Sequence, residues 1–329
     1  MKIINLVENT AGPSGCGAEH GLSFYIETAR HKILMDTGAS ELFFENAQRL
    51  GVDLKAVDLV VLSHGHYDHS GGLVTFRSVN ANAPIFLQTA ATGDYYSVRE
   101  GEEPRYIGIS ENAKALQGLI FVPPVGELRI DSELSLFAGI GLSHPISSAN
   151  GDLKEKTADD YANDSFSHEQ CLVVREGRKN VLFSGCAHHG ILNILDRYRE
   201  LFGDDPTHVV SGFHMKKDSG YTEEDTQFII DTALELTRHR TMFYTGHCTG
   251  EIPFEAMKKI MEEQLEYVHS GDELILRDPP PAKSRSDHAG NRSASEKKKG
   301  NTYMKWHKFF AWATVTSFFL TMITGYKRR

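Results

Sequence analysis

Residues 62–73 read LSHGHYDHSGGL and concentrate metal-capable side chains in one short loop. The residues just before it, 58–63 (DLVVLS), are nearly all apolar, which predicts a strand buried on both faces. Imidazole nitrogens and carboxylate oxygens are ligands that borderline cations such as Zn²⁺ and Fe²⁺ accept. The sequence therefore predicts a metal site at the end of a buried strand, formed by His64, His66, Asp68 and His69.

The H-x-H-x-D-H spacing lets this one loop present ligands in two directions. His64 and His66 would hold one metal ion, and Asp68 with His69 would hold a second ion close by. Asp68 is also the candidate catalytic residue. The glycine pair at 71–72 suits a turn with close backbone approach behind the site.

The first part of the chain alternates short apolar runs with turns. Strands of an antiparallel sheet are predicted at 2–7, 22–27 and 31–36. Residues 40–50 have helical spacing, with Ser40 as the candidate N-cap and Gly51 as the stop.

The second part repeats this alternation. Residues 171–185 predict a hairpin that turns at Gly177, and a helix follows at about 191–202. A buried strand at 208–212, a capped helix at 222–238 and a strand at 241–248 complete the pattern. Strands mixed with βα units predict an α/β protein in which two sheets are covered by helices, an αββα sandwich.

The net charge, the cysteine content and the N-terminal sequence indicate which partners and which cellular compartment to expect. The formal net charge is −9, and the acidic surplus lies upstream of residue 278, so nucleic acid is not an expected partner. The four cysteines share no C-x-x-C spacing and are too few for a disulfide scaffold, which indicates a reducing compartment. No secretory signal is visible at the N-terminus, so we expect a cytoplasmic domain.

The chain divides into a catalytic domain and a C-terminal extension. The domain is predicted at 1–277, with an irregular lid or substrate-binding region at 89–166. Residues 278–304 are rich in Pro, Ser and Lys and predict a polar linker. Residues 305–329 are expected to form a hydrophobic tail helix, and its stretch 309–326 carries no charge, which favours a membrane anchor. An interfacial helix or a peptide that docks on another protein is the alternative.

These motifs resemble those of a known superfamily. LSHGHYDHSGGL is similar to the signature of the metallo-β-lactamase superfamily, and the resemblance extends over about residues 1–277. AEHGLSF, MDTG, HEQ, SGCAHHGI, SGFH and TGHCTG resemble one subfamily more specifically, that of the dihydropterin ribofuranosylaminobenzene phosphate synthase.

The resemblance implies the remaining metal ligands. Cys186 occupies the position where most superfamily members have a bridging Asp, and His188 two residues later is the alternative that we rank higher. His247 resembles the last superfamily ligand, while His168 or Glu169 stands where another His usually precedes a strand.

Three further residues are expected to support the site. Asp36 in MDTG resembles the Asp that buttresses the metal loop through hydrogen bonds, whereas His20 and His214 are expected to contact the ligands or the substrate. The cofactors expected are two divalent metal ions, Zn²⁺ first, with Fe or Mn as alternatives.

The expected reaction is hydrolysis by a metal-activated water of a phosphorylated or otherwise anionic small molecule. The resemblance also implies a pterin-type transferase that displaces pyrophosphate, and a non-catalytic metal-bound sensor is the third alternative. The sequence does not specify an oligomeric state. Candidates for contact with an anionic substrate in the lid are Tyr95, Tyr96, Arg99, Arg105, Lys114 and His144.

Overall fold

Two β-sheets form the centre of the fold, and a smaller sheet lies beside them. The computed structural model describes residues 1–124 and 126–283. The strands assigned in these residues are β1 (Lys2–Val7), β2 (Ser23–Glu27), β3 (Lys32–Met35), β4 (Leu59–Val61), β5 (Ile85–Gln88), β6 (Tyr95–Ser97), β7 (Arg105–Tyr106), β8 (Leu119–Val122), β9 (Gly126–Arg129), β10 (Leu134–Ala138), β11 (Leu153–Lys156), β12 (Tyr161–Asn163), β13 (Cys171–Glu176), β14 (Lys179–Phe183), β15 (His208–Val210), β16 (Met242–Thr245) and β17 (Leu265–Tyr267).

The two large sheets begin with antiparallel pairs and continue in parallel. The first has the order β1-β2-β3-β4-β5-β8, and pairing becomes parallel from β3 onward. The second has the order β17-β16-β15-β14-β13-β10-β9 and is parallel from β14 to β17. The predicted hairpin is β13–β14, and Gly177 in its turn has a φ of 62°.

Helices cover the outer face of each sheet. The α-helices assigned in the described residues are α1 (Leu42–Arg49), α2 (Tyr67–Ser70) within the histidine-containing loop, α3 (Leu73–Val79), α4 (Glu111–Lys114), α5 (Ile191–Phe202), α6 (Glu223–Leu236) and α7 (Glu251–Met261). Phe43 of α1 and Phe76 of α3 pack on the first sheet, whereas Ile194 of α5 and Ala233 of α6 pack on the second.

Three layers of apolar side chains hold the four layers of structure together. Successive residues of β13 serve different layers, because side chains alternate along a strand. Cys171 and Val173 pack with the helices of the second sheet, whereas Leu172 and Val174 pack between the two sheets. The αββα sandwich predicted from the sequence is confirmed.

Residues 89–166 are more regular than the sequence suggested. They supply β8 to the first sheet and both β9 and β10 to the second. A third sheet, β12-β11-β6-β7, accounts for much of the rest. Short polar strands such as Leu153–Lys156 have no periodic apolar pattern, so only their pairing with other strands reveals them.

The start of α1 also differs from the prediction. Glu41 is the N-cap, and it makes no side-chain capping bond. The Ser40 hydroxyl accepts a hydrogen bond from Leu42 N at 3.1 Å and donates to Glu19 at 2.6 Å. Ser40 therefore ties the loop before the helix to Glu19.

The predicted linker and tail fall largely outside the described residues. The apolar stretch 309–326, which we interpret as an anchor, lies there entirely. Within the residues that the structure does describe, no helix is long and apolar enough to cross a bilayer.

Candidate metal centre

The loops that carry the predicted ligands follow strand ends at one edge of the sandwich. Asp36 follows β3, the histidine loop follows β4, Cys186 follows β14 and His247 follows β16. Because the carboxyl ends of parallel strands meet at the same edge, residues distant in sequence come together there.

Glycines let the histidine loop pack against its neighbours. A Cβ on Gly65 would lie 2.5 Å from the Ala91 carbonyl oxygen, and one on Gly71 would lie 2.1 Å from that of Ala39. A Cβ on Gly72 would meet Thr37 O at 2.4 Å. The close approach expected of the glycine pair is therefore present, and the loop has little room to shift.

Three histidines form what we call the first ligand group: His64, His66 and His188. One ring nitrogen of each lies within 4.8 Å of the others, and the Nε2 atoms of His64 and His188 are 3.3 Å apart. His66 Nε2 is buried and makes no hydrogen bond to a described residue, although Asp164 Oδ2 is 3.5 Å away. Buried polar atoms normally have a partner, so this unpartnered nitrogen fits a metal ligand.

Asp68, His69 and His247 form the second ligand group. Asp68 Oδ2 lies 3.8 Å from His69 Nε2 and 3.4 Å from His247 Nε2. His247 Nε2 is also buried without a hydrogen bond among the described residues. His20 lies at the mouth of this group, with Nε2 3.2 Å from Asp68 Oδ2.

Cys186 lies between the two groups. Its sulfur is 3.2 Å from His69 Nε2 and belongs to a cluster with His64 and His69 whose ligand atoms are within 4.8 Å of one another. His188 clusters with Cys186 and His214 as well as with the first group. The two residues that the sequence left as alternatives therefore both lie at the centre.

Burial and neighbouring charges set the protonation of these ligands. Burial and the surrounding histidines lower the pKa of His64 and His188 well below the ordinary value, which keeps both rings neutral. Burial alone would raise the pKa of Asp68, but His69, His20 and His247 outweigh it and lower that pKa well below its usual range. A neutral imidazole and an ionised carboxylate are the forms that bind metal.

Asp36 lies directly behind the second group. Its carboxylate contacts His69 Nδ1 at 2.6 Å and accepts hydrogen bonds from the Ser63 amide and hydroxyl at 2.7 Å each. Burial lowers the pKa of His69, but the Asp36 and Asp68 carboxylates raise it to about 9, so a metal ion that binds at Nε2 must displace a proton near neutral pH. Asp36 therefore orients the ring so that Nε2 faces the centre, which is the buttressing role that the resemblance implies.

His168 and Glu169 support the loops rather than face the centre. His168 Nδ1 accepts from Gly65 N at 3.0 Å, and its Nε2 lies 3.1 Å from Asp164 Oδ2. Glu169 accepts from the backbone N–H groups of His188 at 2.7 Å and His189 at 3.1 Å, and its Oε2 lies 2.7 Å from His189 Nδ1. These contacts occupy the atoms that either residue would offer to a metal.

Two asparagines that we did not predict from the sequence each position one ligand histidine, Asn150 in the first group and Asn9 in the second. Asn150 Oδ1 lies 2.9 Å from His188 Nδ1, and its amide donates to the His188 carbonyl at 2.9 Å. Asn9 Oδ1 lies 2.8 Å from His247 Nδ1, and its amide donates to the His247 carbonyl at 3.4 Å. This pattern assigns the ring proton to Nδ1, which leaves each Nε2 lone pair for a metal.

Glu8 fixes the backbone of His247, which has a strained φ of 51°. The fully buried Glu8 carboxylate accepts from His247 N at 2.5 Å and from the Tyr267 hydroxyl at 2.9 Å. A non-glycine residue persists in the left-handed region only where its surroundings determine it. The loop after β1 therefore positions His247 from two sides.

Asn150→Ala is expected to weaken metal binding about 10- to 100-fold, the usual cost of removing a group that orients a ligand. The His188 ring would lose the acceptor that fixes its tautomer. Zinc titration against a competing chelator measures the change. Asn150→Asp, which keeps the acceptor, should retain most of the affinity, and Asn82→Ala on the surface is the matched control. Unchanged affinity in Asn150→Ala would contradict this role.

The comparisons with known proteins agree with this geometry. The family model of the metallo-β-lactamase superfamily matches residues 16–144. The crystal structure of Tm1679, a metal-dependent hydrolase of the β-lactamase superfamily, has a TM-score of 0.69 and 29% identity, and the match covers 84% of this chain and 100% of that chain. This chain has the metallo-β-lactamase fold.

Two proteins of Methanocaldococcus jannaschii are also similar to it. One is 7,8-dihydropterin-6-methyl-4-(β-D-ribofuranosyl)-aminobenzene-5′-phosphate synthase, which is 27% identical over an alignment of 303 residues; the match covers 82% of this chain and 95% of that protein. The other is the uncharacterized protein MJ0448, 27% identical over 272 residues that cover 81% of this chain and 96% of that protein. The resemblance inferred from the motifs is confirmed.

In this metallo-β-lactamase fold a cleft of about 940 Å³ opens onto the ligand groups. Its lining includes His20, His214 and residues of both groups, so the two residues expected near the substrate lie beside the centre. His214 Nδ1 is buried without a hydrogen bond to a described residue, and its ring centroid is 4.2 Å from that of His188.

Four basic side chains line the cleft: Arg99, Arg105, Lys216 and Lys217. Arg99 contacts Asp152 at 3.4 Å, and Lys217 contacts Asp225 at 2.6 Å. In the described part of the chain, Arg105 and Lys216 make no ion pair; Arg105 lies over the Tyr67 ring at 5.5 Å. These two cations are therefore available to an anionic ligand.

Other lid residues named from the sequence have different partners. Lys114 pairs with Glu111 at 2.9 Å, and His144 pairs with Asp196 at 3.0 Å. The Tyr95 hydroxyl donates to the Ala90 carbonyl at 2.7 Å, while the Tyr96 ring packs against Tyr106. Of the six candidates, Arg99 and Arg105 line the cleft.

Proposed function

We propose that this protein is a metal-dependent hydrolase that acts on a phosphorylated or otherwise anionic small molecule. One observation carries the proposal: two ligand groups converge below a cleft, and each contains a buried histidine nitrogen without a hydrogen bond among the described residues, His66 Nε2 and His247 Nε2. Two such nitrogens in one cluster fit ligands better than structural histidines.

The donor set fits divalent cations. His64, His66 and His188 would hold one ion, and Asp68, His69 and His247 would hold a second, with Cys186 between them. Ions bound there would lower the pKa of a water molecule towards neutrality and polarise a substrate oxygen.

Asp68 and His20 give the site a route for a proton. Asp68 Oδ2 lies in the second group, 3.2 Å from His20 Nε2, and the His20 side chain is 51% exposed. A carboxylate in this position can accept a proton from the attacking water and pass it to the imidazole at the mouth of the cleft.

Arg105 and Lys216 are expected to bind the anionic part of the substrate. Replacing either with alanine should raise KM and lower kcat/KM for a phosphodiester about tenfold, because a hydrogen bond to a charged group contributes about 1.5 kcal/mol. Steady-state kinetics with bis(p-nitrophenyl) phosphate measure this change. Uncharged p-nitrophenyl acetate is the control substrate. Lys55→Ala, on the surface before β4, is the control variant. An equal loss with both substrates would contradict a role in anion binding.

The experiment that tests the proposed function is chelator-sensitive turnover of bis(p-nitrophenyl) phosphate by the full chain. We expect turnover that is lost after dialysis against a chelator and restored by Zn²⁺ or Mn²⁺. A protein that binds metal but hydrolyses none of the phosphorylated and other anionic substrates in a screen would contradict the hydrolase and favour the sensor or the transferase.

A pterin-type transferase is the second candidate. It is favoured by the 27% identity to the dihydropterin ribofuranosylaminobenzene phosphate synthase over 95% of that protein's length. Incubation with a pterin diphosphate and a ribofuranosyl aminobenzene 5′-phosphate distinguishes the two. Pyrophosphate release that requires the aromatic acceptor indicates transfer, whereas release without an acceptor indicates hydrolysis.

A further inference from the structure

Cys248 is a buried thiol of the centre that neither ligand group includes. Its sulfur lies within 4.8 Å of the Cys186 sulfur and of a ring nitrogen of His247. Both cysteines are free, and only 3% of Cys186 and 5% of Cys248 is exposed. The structure therefore places two thiols side by side among histidines, at the floor of the cleft.

The backbone directs Cys248 towards this position. His247–Thr249 forms a 3₁₀ turn, and the φ of 51° at His247 lets two consecutive residues, His247 and Cys248, face the same cluster. The Cys248 carbonyl accepts from the amides of Met215 and Lys216 at 2.9 Å each. Its side chain is therefore held by a fixed turn.

Gly212 leaves the space that the Cys248 sulfur occupies. A Cβ on Gly212 would lie 2.4 Å from this sulfur, closer than real Cβ contacts permit. Gly212 follows β15, and its amide donates to the Gly185 carbonyl at 2.8 Å, next to Cys186. The loop after β15 therefore contacts both cysteine loops, and the Cys248 thiol itself donates to the Cys186 carbonyl oxygen at 3.6 Å. These contacts keep the two sulfurs adjacent.

We propose that Cys248 and Cys186 together give the second metal position two thiolate ligands, beside Asp68, His69 and His247. Two observations place the thiols with that group. His247 Nε2 has no hydrogen-bond partner among the described residues, and the Cys186 sulfur lies 3.2 Å from His69 Nε2. Thiolates favour soft and borderline cations, so this position should prefer Zn²⁺ or Cd²⁺ over Mn²⁺ or Mg²⁺. The inference rests on the proposed metal centre but on no particular activity.

The test uses Co²⁺ as a spectroscopic probe in the full chain without substrate. Cobalt bound to thiolate gives a near-ultraviolet charge-transfer band whose intensity follows the number of sulfur ligands. We expect this band in the native protein, about half of its intensity in Cys248→Ser and in Cys186→Ser, and none in the double variant. Cobalt at the first ligand group should remain bound in all three variants, because its three histidines are unchanged.

Cys16→Ser is the matched control, since Cys16 is buried beside Gly271 in another part of the fold. Its band should equal that of the native protein, and circular dichroism checks that each variant is folded. Cobalt binding with a band that Cys248→Ser leaves unchanged would overturn this inference alone. Failure to bind cobalt at all would overturn the proposed metal centre as well.

Discussion

Replacing His66 with alanine is expected to empty the first metal position and to lower phosphodiester turnover about 10³-fold or more. His66 Nε2 is buried and makes no hydrogen bond to a described residue, which fits a metal ligand. Alanine removes this ligand and puts no other donor atom in its place. His64→Ala should have the same effect, since His64 Nε2 lies 3.3 Å from His188 Nε2 in the same group. Metal analysis and kinetics of the purified variants measure both quantities.

The control for these variants is His31→Ala. His31 pairs with Asp131 at 2.8 Å near the turn between β2 and β3, away from the cleft. It should retain native metal content and turnover. Native metal content in His66→Ala would show that this nitrogen has another role and would contradict the assignment of the first group.

Asp68→Asn is expected to lower kcat about 10²- to 10⁴-fold, the range for loss of a positioned acid–base group. The change keeps the size of the side chain but removes the charge that faces His20, His69 and His247. An amide is also a weaker metal ligand than a carboxylate, so the second metal position should lose affinity while the first keeps its ion. Metal content and kcat are measured on the same sample to separate these two losses.

Asp159→Asn is the control variant, because it removes the same charge at an exposed position outside the metal centre. It should match the native protein in both measurements. If Asp68→Asn kept native kcat with both metals bound, Asp68 would have neither the ligand role nor the catalytic role that we propose for it.

Long elements with a clear apolar period could be predicted from the sequence. The helix at 191–202 agrees with α5 residue for residue, because it lies between Gly190 and Gly203 and has one continuous apolar face. The third sheet could not be predicted. Strands such as Arg105–Tyr106 and Tyr161–Asn163 are short and mainly exposed, and they exist only through pairing with distant residues.

The residues of the candidate site also differ in whether a local sequence pattern reveals them. His64, His66, Asp68 and His69 share one loop, so their spacing alone revealed them. Asn9, Asn150 and Cys248 act through contacts with residues far away in sequence, and an isolated Asn or Cys carries no local pattern. The TGHCTG motif, in which Cys248 directly follows a predicted ligand, was the one available signal for that thiol.

Elemental analysis of the full chain, purified without added metal, tests the central claim most directly. We predict about two equivalents of divalent metal in the native protein and about one in His66→Ala and in His247→Ala, because each variant removes a ligand from one group. No bound metal in a folded native protein, even after incubation with Zn²⁺, would contradict the claim that these clustered side chains form a metal centre.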